Sequence, residues 1–516
     1  MRFVARFCTV LCALLAPAGL LATEQQRHVV LIVWDGMRPD FISEQNTPAL
    51  FELARRGVMF RNHHAVFLSS TEVNGTAIST GAYPAHDGII GNNEYRPEID
   101  PLKPIHMESP DAVRKGDQVT HGHYIRLPTI AELVRRAGRK AVVVGAKPVA
   151  LLADRAMRTS SDAGVNLFAG ASLPPNLLPS LTNIYGPFPD EKSLDPTRID
   201  WSTTALIDFL WKKGVPDFSF VWMNEPDLSQ HQTGPGSQRS LAAMRNADQN
   251  LARILHSLEV KGVRDSTDVI VVSDHGASTV ATLQDLAEAL TKAGIPARRQ
   301  FTEKPKSDHV LVVGNGGAAL IYVIGQNRGP IIQRVVRFLQ QWELSGVIFC
   351  RDRLPGTFSL HEAHLDSEAA PEILVSLNWT SDKNQFGTAG MVLSDLSSYG
   401  PGKGSHVTLS PFDMHATLVA AGPHFRSGVV NTLASGNVDI APTVLWVLGL
   451  KPPRSMDGRV LSEALTIKAP PLHSFDPRHV EASADLGDSA WTQYLNFTEV
   501  NGVRYLDEGN AQNRKR

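Results

Sequence analysis

From His28 onward the chain alternates short apolar runs with amphipathic stretches, the pattern of parallel strands joined by crossover helices. Val29 to Trp34 is a continuous β-prone run and reads as a strand buried on both faces. Helices are expected around Pro48 to Arg56, from about Val73, and over Thr129 to Ala137, followed by a strand over Ala141 to Val144. The rhythm repeats with a helix over Thr203 to Lys212, a strand over Phe218 to Met223, a helix over Ser240 to Leu258 and a strand over Val269 to Ser273. One mostly parallel sheet with helices on both sides, a doubly wound α/β fold, accounts for this order.

Three stretches break the rhythm. Arg96 to Arg126 and Arg158 to Arg198 show no period and read as long surface loops near a site. Thr279 to Lys403 carries its own elements, among them Leu283 to Leu290, Ala319 to Ile324, Ile331 to Trp342 and Ile373 to Leu377, and reads as an inserted small α+β subdomain. Ala416 to Ala421 and Ile440 to Leu450 then resume the strand and helix of the core. From about Leu472 the tail is polar, with no clear period. The expected division is a core of residues 23–278 and 404–465, a cap of residues 279–403, and a C-terminal extension of residues 466–516.

Ahead of the core, Arg2 and Arg6 precede an apolar run, Phe7 to Leu21, that ends in small residues before the polar Thr23 to Arg27. This is the build of a secretory signal over residues 1–22, and the run is short for a bilayer span. A secreted or periplasmic protein with no stable membrane span in the mature chain is expected. Cys8 and Cys12 would leave with the signal, so Cys350 would remain without a partner for an internal disulfide.

Composition narrows the picture further. With 42% hydrophobic and 20% charged residues in 516, the chain is long and apolar enough for one large globular domain with insertions. Fifty basic against fifty-two acidic residues leave a formal charge of -2, so no basic field exists to track a phosphate backbone. No nucleic-acid-binding surface is expected.

In open α/β sheets ligands sit beyond the carboxyl ends of the strands, which makes acids and histidines there candidates for chemistry. Asp35 directly follows the first strand. Asp227 follows the strand ending near Met223, with His231 four residues on; Asp274 and His275 close the strand from Val269; His406 lies in a Gly-rich turn. Three aspartates and three histidines on one predicted rim suit two divalent ions that accept both imidazole and carboxylate, with zinc the expected metal. Two such ions can clamp the attacking and leaving oxygens of a phosphoryl transfer. Ser69 with Glu72 has the capping-box pattern, which places Thr71 in the first turn of a helix, where free N–H groups favour an anionic oxygen. Thr71 is the candidate nucleophile. Two further sets rank lower: His121 and His123 sit in a polar loop, and Asp413 with His415 reads as structural pairing.

The motifs resemble a known family. Val33-Trp34-Asp35-Gly36-Met37-Arg38-Pro39-Asp40, Thr47-Pro48-Ala49-Leu50, Arg56-Gly57-Val58, Thr71 with Thr80-Gly81 and Tyr83-Pro84, and His86 to Asn92 occur in order. Glu225-Pro226-Asp227 with His231, Ser273-Asp274-His275-Gly276, Gly404-Ser405-His406, Gly422-Pro423 and Asp439 to Thr443 follow. Over roughly residues 28–465 the chain is similar to the type I phosphodiesterase/nucleotide pyrophosphatase family of the alkaline phosphatase superfamily. The resemblance implies one metal held by Asp227, His231 and His406, and a second by Asp35, Thr71, Asp274 and His275. It also implies that the Asn92 amide binds a phosphoryl oxygen.

Two departures bear on substrate. Nucleotide-hydrolysing members of the family usually carry an aromatic residue after the nucleophile, where this chain has Glu72. Lys147 resembles the lysine that monoesterase and phosphonate-hydrolase branches aim at the phosphoryl group, although the arginine two residues later is here Val149. The sequence therefore leads to hydrolysis of a small-molecule phosphate ester through a phospho-threonine, with diester or pyrophosphate cleavage ahead of monoester or phosphonate cleavage. A metal-stabilised binding protein would be favoured by a missing ligand or nucleophile, and every such position is filled.

Overall fold

The computed structural model describes residues 27–156, 164–190, 197–305, 309–396 and 399–515. The expected signal segment, Cys8 and Cys12 lie outside the described residues, as does part of the expected loop Arg158 to Arg198. Among the described residues no helix is long and apolar enough to cross a membrane.

The core is a nine-stranded sheet. In spatial order its strands are Val429–Asn431, Val58–Phe60, Leu418–Ala421, Thr267–Val272, His28–Trp34, Phe218–Met223, Ala141–Gly145, Val165–Phe168 and Ala171–Leu173. Only Leu418–Ala421 and Ala171–Leu173 run against the common direction. His28–Trp34 is central and pairs in parallel with Thr267–Val272 on one side and Phe218–Met223 on the other. Its side chains from Val29 to Trp34 are all fully buried, because helices cover both faces and leave no side for polar residues. Alternate residues feed two separate apolar clusters, Leu31 and Val33 into one and Val30 and Ile32 into the other.

Several expected boundaries shift for local reasons. The helix expected from Val73 runs Thr71–Thr80, and its N-cap is Ser70, which makes no side-chain cap bond. The capping box expected from Ser69 and Glu72 does not form: Ser69 Oγ donates instead to Thr408 O at 3.2 Å, and the Glu72 N–H donates to Asn92 Oδ1 at 3.1 Å. The helix expected over Thr203 to Lys212 is an α-helix, Thr197–Thr204, that widens into a π-helical turn, Ala205–Leu210. In the insertion a strand, Ser278–Gln284, precedes the helix Leu286–Lys292, whose start is set by Asp285 accepting from the Glu288 N–H.

The expected loops also hold structure. Arg96 to Arg126 contains the helix Pro110–Val119. A Cβ at its Gly116 would stand 2.1 Å from the Tyr124 ring, so the close approach requires glycine. Within Arg158 to Arg198 lie two sheet strands and the helix Leu177–Tyr185. Residues 297–377 build a six-stranded mixed sheet of their own.

The polar tail is the largest difference from expectation. It forms a three-stranded antiparallel sheet, Phe475–Asp485, Ser489–Val500 and Val503–Lys515. Trp491, Gln493, Leu495 and Phe497 alternate inward, and the polar Gln493 hides the period. Both ends of its amide are bonded: Oε1 accepts from Ile348 N at 2.8 Å and Nε2 donates to Ile348 O at 3.0 Å. The tail thereby docks on the strand Ser345–Cys350 of the inserted sheet.

Candidate active site

Four neighbouring strands deliver the candidate residues to one edge. Asp35 ends the central strand, Asp227 begins the helix Asp227–Thr233 after its neighbour, Asp274 and His275 follow Thr267–Val272, and Lys147 follows Ala141–Gly145. The turn after Asp35 depends on Gly36, which has φ +68° and where a Cβ would meet Asp227 Cβ at 2.9 Å. The Asp227 N–H then bonds Asp35 O at 3.1 Å, which brings the two acidic residues together. Helix Thr71–Thr80 packs its Gly75 on Trp222, 3.0 Å from where a Cβ would stand, and Trp222 Nε1 donates to Asp35 Oδ2 at 2.9 Å.

All seven metal-type residues named from the sequence converge. Asp227, His231 and His406 place one donor atom each within 4.8 Å of one another, and so do Asp35, Asp227 and His275. Asp227 belongs to both groups, so it stands between the two positions. Asp274 Oδ2 lies 3.2 Å from His275 Nε2, and Thr71 Oγ1 lies 3.3 Å from the same nitrogen. Asp35, Asp274 and His275 are fully buried, and Thr71 is nearly so.

Three observations show that the donors fit divalent cations. First, the Nδ1 atoms of His231, His275 and His406 sit 2.9, 2.7 and 2.8 Å from the carbonyls of Gly404, Gly276 and Ser69. Each ring donates from Nδ1 and turns Nε2 toward the carboxylates, the orientation of metal-ligating histidines. Secondly, Asp35 Oδ1 and Asp274 Oδ2 are buried without a hydrogen-bond partner. Thirdly, the electrostatics call for more positive charge. Burial, then the charge of Asp35, pushes the Asp274 carboxyl well above the usual range. Burial acts the same way on Asp227 but is outweighed by His231 and Lys147, which hold it well below that range. Burial keeps His275 and His406 neutral by lowering both, while Asp227 overcomes burial to raise His231.

Lys147 reaches the centre of this group. Its Nζ donates to Asp35 Oδ2 at 3.0 Å, Thr71 Oγ1 at 3.1 Å and Asp227 Oδ2 at 3.2 Å. Those carboxylates raise its pKa well above the ordinary lysine value against the effect of burial, so the side chain is an ammonium. Asn92 lies on the other side of Thr71. Because its Oδ1 accepts the Glu72 N–H, its amide NH2 is the group left to face the cavity. Thr71, Asn92, Lys147 and His231 line a cavity of about 330 Å³, a size suited to a small-molecule ligand.

The lower-ranked candidates stay apart. His121 and His123 are exposed, outside the donor clusters found among the described residues. Asp413 accepts from Ser278 Oγ at 2.5 Å and Thr408 Oγ1 at 2.6 Å, and His415 pairs with Asp507 at 2.5 Å. Cys350 is buried. Among the cavity and site residues that sequence reasoning missed, four stand out. Trp222 and Tyr399 read as ordinary aromatics, yet Trp222 bonds Asp35 and Tyr399 stacks on His231 with centroids 4.9 Å apart. His106 and Glu108 lay in a stretch read as loop, and their one-residue spacing was the available signal.

A mostly parallel sheet carrying this carboxylate and histidine centre at its carboxyl edge, with a threonine at a helix start beside it, defines a hydrolase acting on phosphoric esters. Residues 29–337 match the model of the type I phosphodiesterase/nucleotide pyrophosphatase family, and the chain belongs to that family, within the alkaline phosphatase superfamily. It is 24% identical over 429 residues to a bis(5'-adenosyl)-triphosphatase of Mus musculus, covering 82% of this chain and 78% of the relative. A venom phosphodiesterase of Naja atra is 23% identical over 262 residues, 50% of this chain and 27% of the relative. Murine ectonucleotide pyrophosphatase/phosphodiesterase 5 superposes with a TM-score of 0.60 at 17% identity, over 85% of this chain and all of that one. An inactive variant of that protein, solved in complex with AMP, superposes equally well.

Proposed function

We propose that this chain is a secreted two-metal hydrolase that cleaves phosphodiester or pyrophosphate bonds through a covalent phospho-threonine at Thr71. The observation that carries the reading is the position of the Thr71 hydroxyl, held at a helix start between Lys147 Nζ at 3.1 Å and His275 Nε2 at 3.3 Å. Asp227, His231 and His406 would hold one ion, and Asp35, Thr71, Asp274 and His275 the other, with zinc expected from the mixed donors. Two such ions supply Lewis-acid stabilisation and make the threonine oxygen nucleophilic at neutral pH.

The remaining steps belong to the chain. Thr71 Oγ1 attacks phosphorus in line and the ester oxygen leaves; water then displaces Oγ1 and regenerates the hydroxyl. Free N–H groups at the start of helix Thr71–Thr80, the Asn92 amide and the Lys147 ammonium hold the non-bridging oxygens as charge develops. The signal-like residues 1–22 support export. The names of the relatives support nucleotide diesters and pyrophosphates, while Glu72 in place of an aromatic supports a pocket that does not wall a base. One observation favours phosphomonoester or phosphonate cleavage as a second reading: the Lys147 ammonium stands at the nucleophile, where a dianion would be best balanced.

Thr71→Ala tests the mechanism. Turnover is expected to fall by several powers of ten with the fold intact, and wild-type protein is expected to carry two ions in these clusters. A variant that kept more than about a hundredth of wild-type kcat would exclude covalent catalysis by Thr71. Elemental analysis finding one ion in fully active protein would exclude the two-metal reading.

A further inference from the structure

Beside Thr71 the cavity wall carries another group of donors. Glu72 comes from the first turn of the helix Thr71–Thr80, His106 from the short strand Ile105–His106, and Glu108 from the segment that follows. One ligand-type atom of each lies within 4.8 Å of the others, and all three residues line the cavity. Glu72 is 1% exposed, and neither of its carboxylate oxygens has a hydrogen-bond partner; Glu108, 6% exposed, has a bare Oε2 as well. Glu72 Oε1 has only the contact with His106 Nδ1 at 3.2 Å, and Glu72 Oε2 and Glu108 Oε2 are bare; buried polar atoms are almost always satisfied, so this group marks a place for a cation.

The imidazole is set up in the same way as the three in the catalytic centre. His106 Nδ1 lies 3.0 Å from Asn92 O, so it donates there although Glu72 Oε1 is also near, at 3.2 Å. Nε2 lies 3.6 Å from Glu108 Oε1, beyond hydrogen-bond distance, and is the ring nitrogen that would ligate an ion here. The nearby cation, Lys147, directs its Nζ to Asp35, Thr71 and Asp227. Tyr399, the tyrosine on the cavity wall, stacks one face on His231.

We propose that Glu72, His106 and Glu108 form a third divalent-cation site, which takes an ion accepting mixed imidazole and carboxylate donors, such as Zn2+ or Mn2+. The proposal goes beyond the two-metal reading and does not depend on it. A cation here would make this stretch of wall positive, so that it binds a second anionic group beside the reacting phosphorus, as a pyrophosphate presents.

The full-length protein, stripped of metal and reloaded with Zn2+ or with Mn2+, tests this by elemental analysis and calorimetric titration. Wild type is expected to bind one more ion than His106→Ala and one more than Glu108→Gln. His106 is half exposed, so its truncation leaves the fold intact, and Glu108→Gln preserves shape. Asp227→Asn is expected to reduce ion content while the difference between it and the double variant with His106→Ala stays at one. Equal ion content in wild type and both single variants overturns the proposal whatever the absolute number, which separates this failure from that of the two-metal reading. Unchanged ion content with a raised KM for an ammonium-bearing diester assigns the cluster to a substrate cation and also overturns it.

Discussion

Replacing Lys147 by alanine removes the ammonium that lies 3.1 Å from Thr71 Oγ1, the proposed nucleophile, and 3.0 Å from Asp35. Two consequences separate. Every substrate loses the charge-assisted hydrogen bond to the Thr71 oxygen, about 1.5 kcal/mol or roughly tenfold in kcat/KM. A monoester loses more, because its transferred group carries one more negative charge. Once phosphorus bonds Oγ1, that charge sits about 4 Å from Nζ, where a unit pair is worth about 4 kcal/mol at an effective dielectric of 20. Asp35 and Asp227 draw on the same ammonium, so about half of this, roughly 2 kcal/mol or 30-fold, is expected to discriminate monoester from diester. The assay is kcat/KM for a monoester and a diester with the same leaving group, on protein of measured metal content. A fall of roughly tenfold for the diester and 300-fold for the monoester is expected. Equal falls would mean that the lysine only organises Asp35 and Asp227, and no fall would remove it from the site.

Two further predictions concern the scaffold. Burial pushes the Asp439 carboxyl up to about 6, despite donation from the Tyr505 hydroxyl and the Gly436 N–H, so the folded state holds a proton that the unfolded state releases near pH 4. Stability contributed by this group therefore falls as pH rises from about 4 to 6, by up to about 3 kcal/mol. Urea unfolding at several pH values should show that difference between wild type and Asp439→Asn; a difference that is flat, or rises with pH, would contradict the assignment. Trp491, 1% exposed and bonded through Nε1 to Gly356 O at 3.0 Å, anchors the C-terminal sheet. Trp491→Ala should destabilise the protein by about 3 to 5 kcal/mol, and a loss under 1 kcal/mol in denaturant titration would show that the sheet docks without it.

The central sheet was legible in the sequence because its strands are buried on both faces: Val29 to Trp34 reads as a continuous apolar run, and Phe218 to Met223 is broken only by Ser219. The same physics made the site legible, since Asp35, Asp227, Asp274 and His275 are polar residues placed where such runs stop. The tail was illegible because Gln493, a polar residue at an inward position, is satisfied by the backbone of Ile348, some 145 residues away in sequence. The helix Pro110–Val119 was illegible because its glycine answers to Tyr124 and not to helix propensity.

Residue types and their order along the chain thus determined the α/β class and the identity of the acids, histidines and threonine gathered on one rim of the sheet. Only the tertiary structure decided how they share their partners. Asp227 stands between both donor groups, Lys147 enters from a neighbouring strand to meet Thr71, and Glu72 leaves its expected capping bond to Asn92 and turns toward His106 and Glu108. Each of those outcomes is a competition among hydrogen-bond donors and charges brought within about 3 to 5 Å, and electrostatic energy at such range depends on separation in space. The sheet and its packing set that separation, and spacing along the chain does not record it.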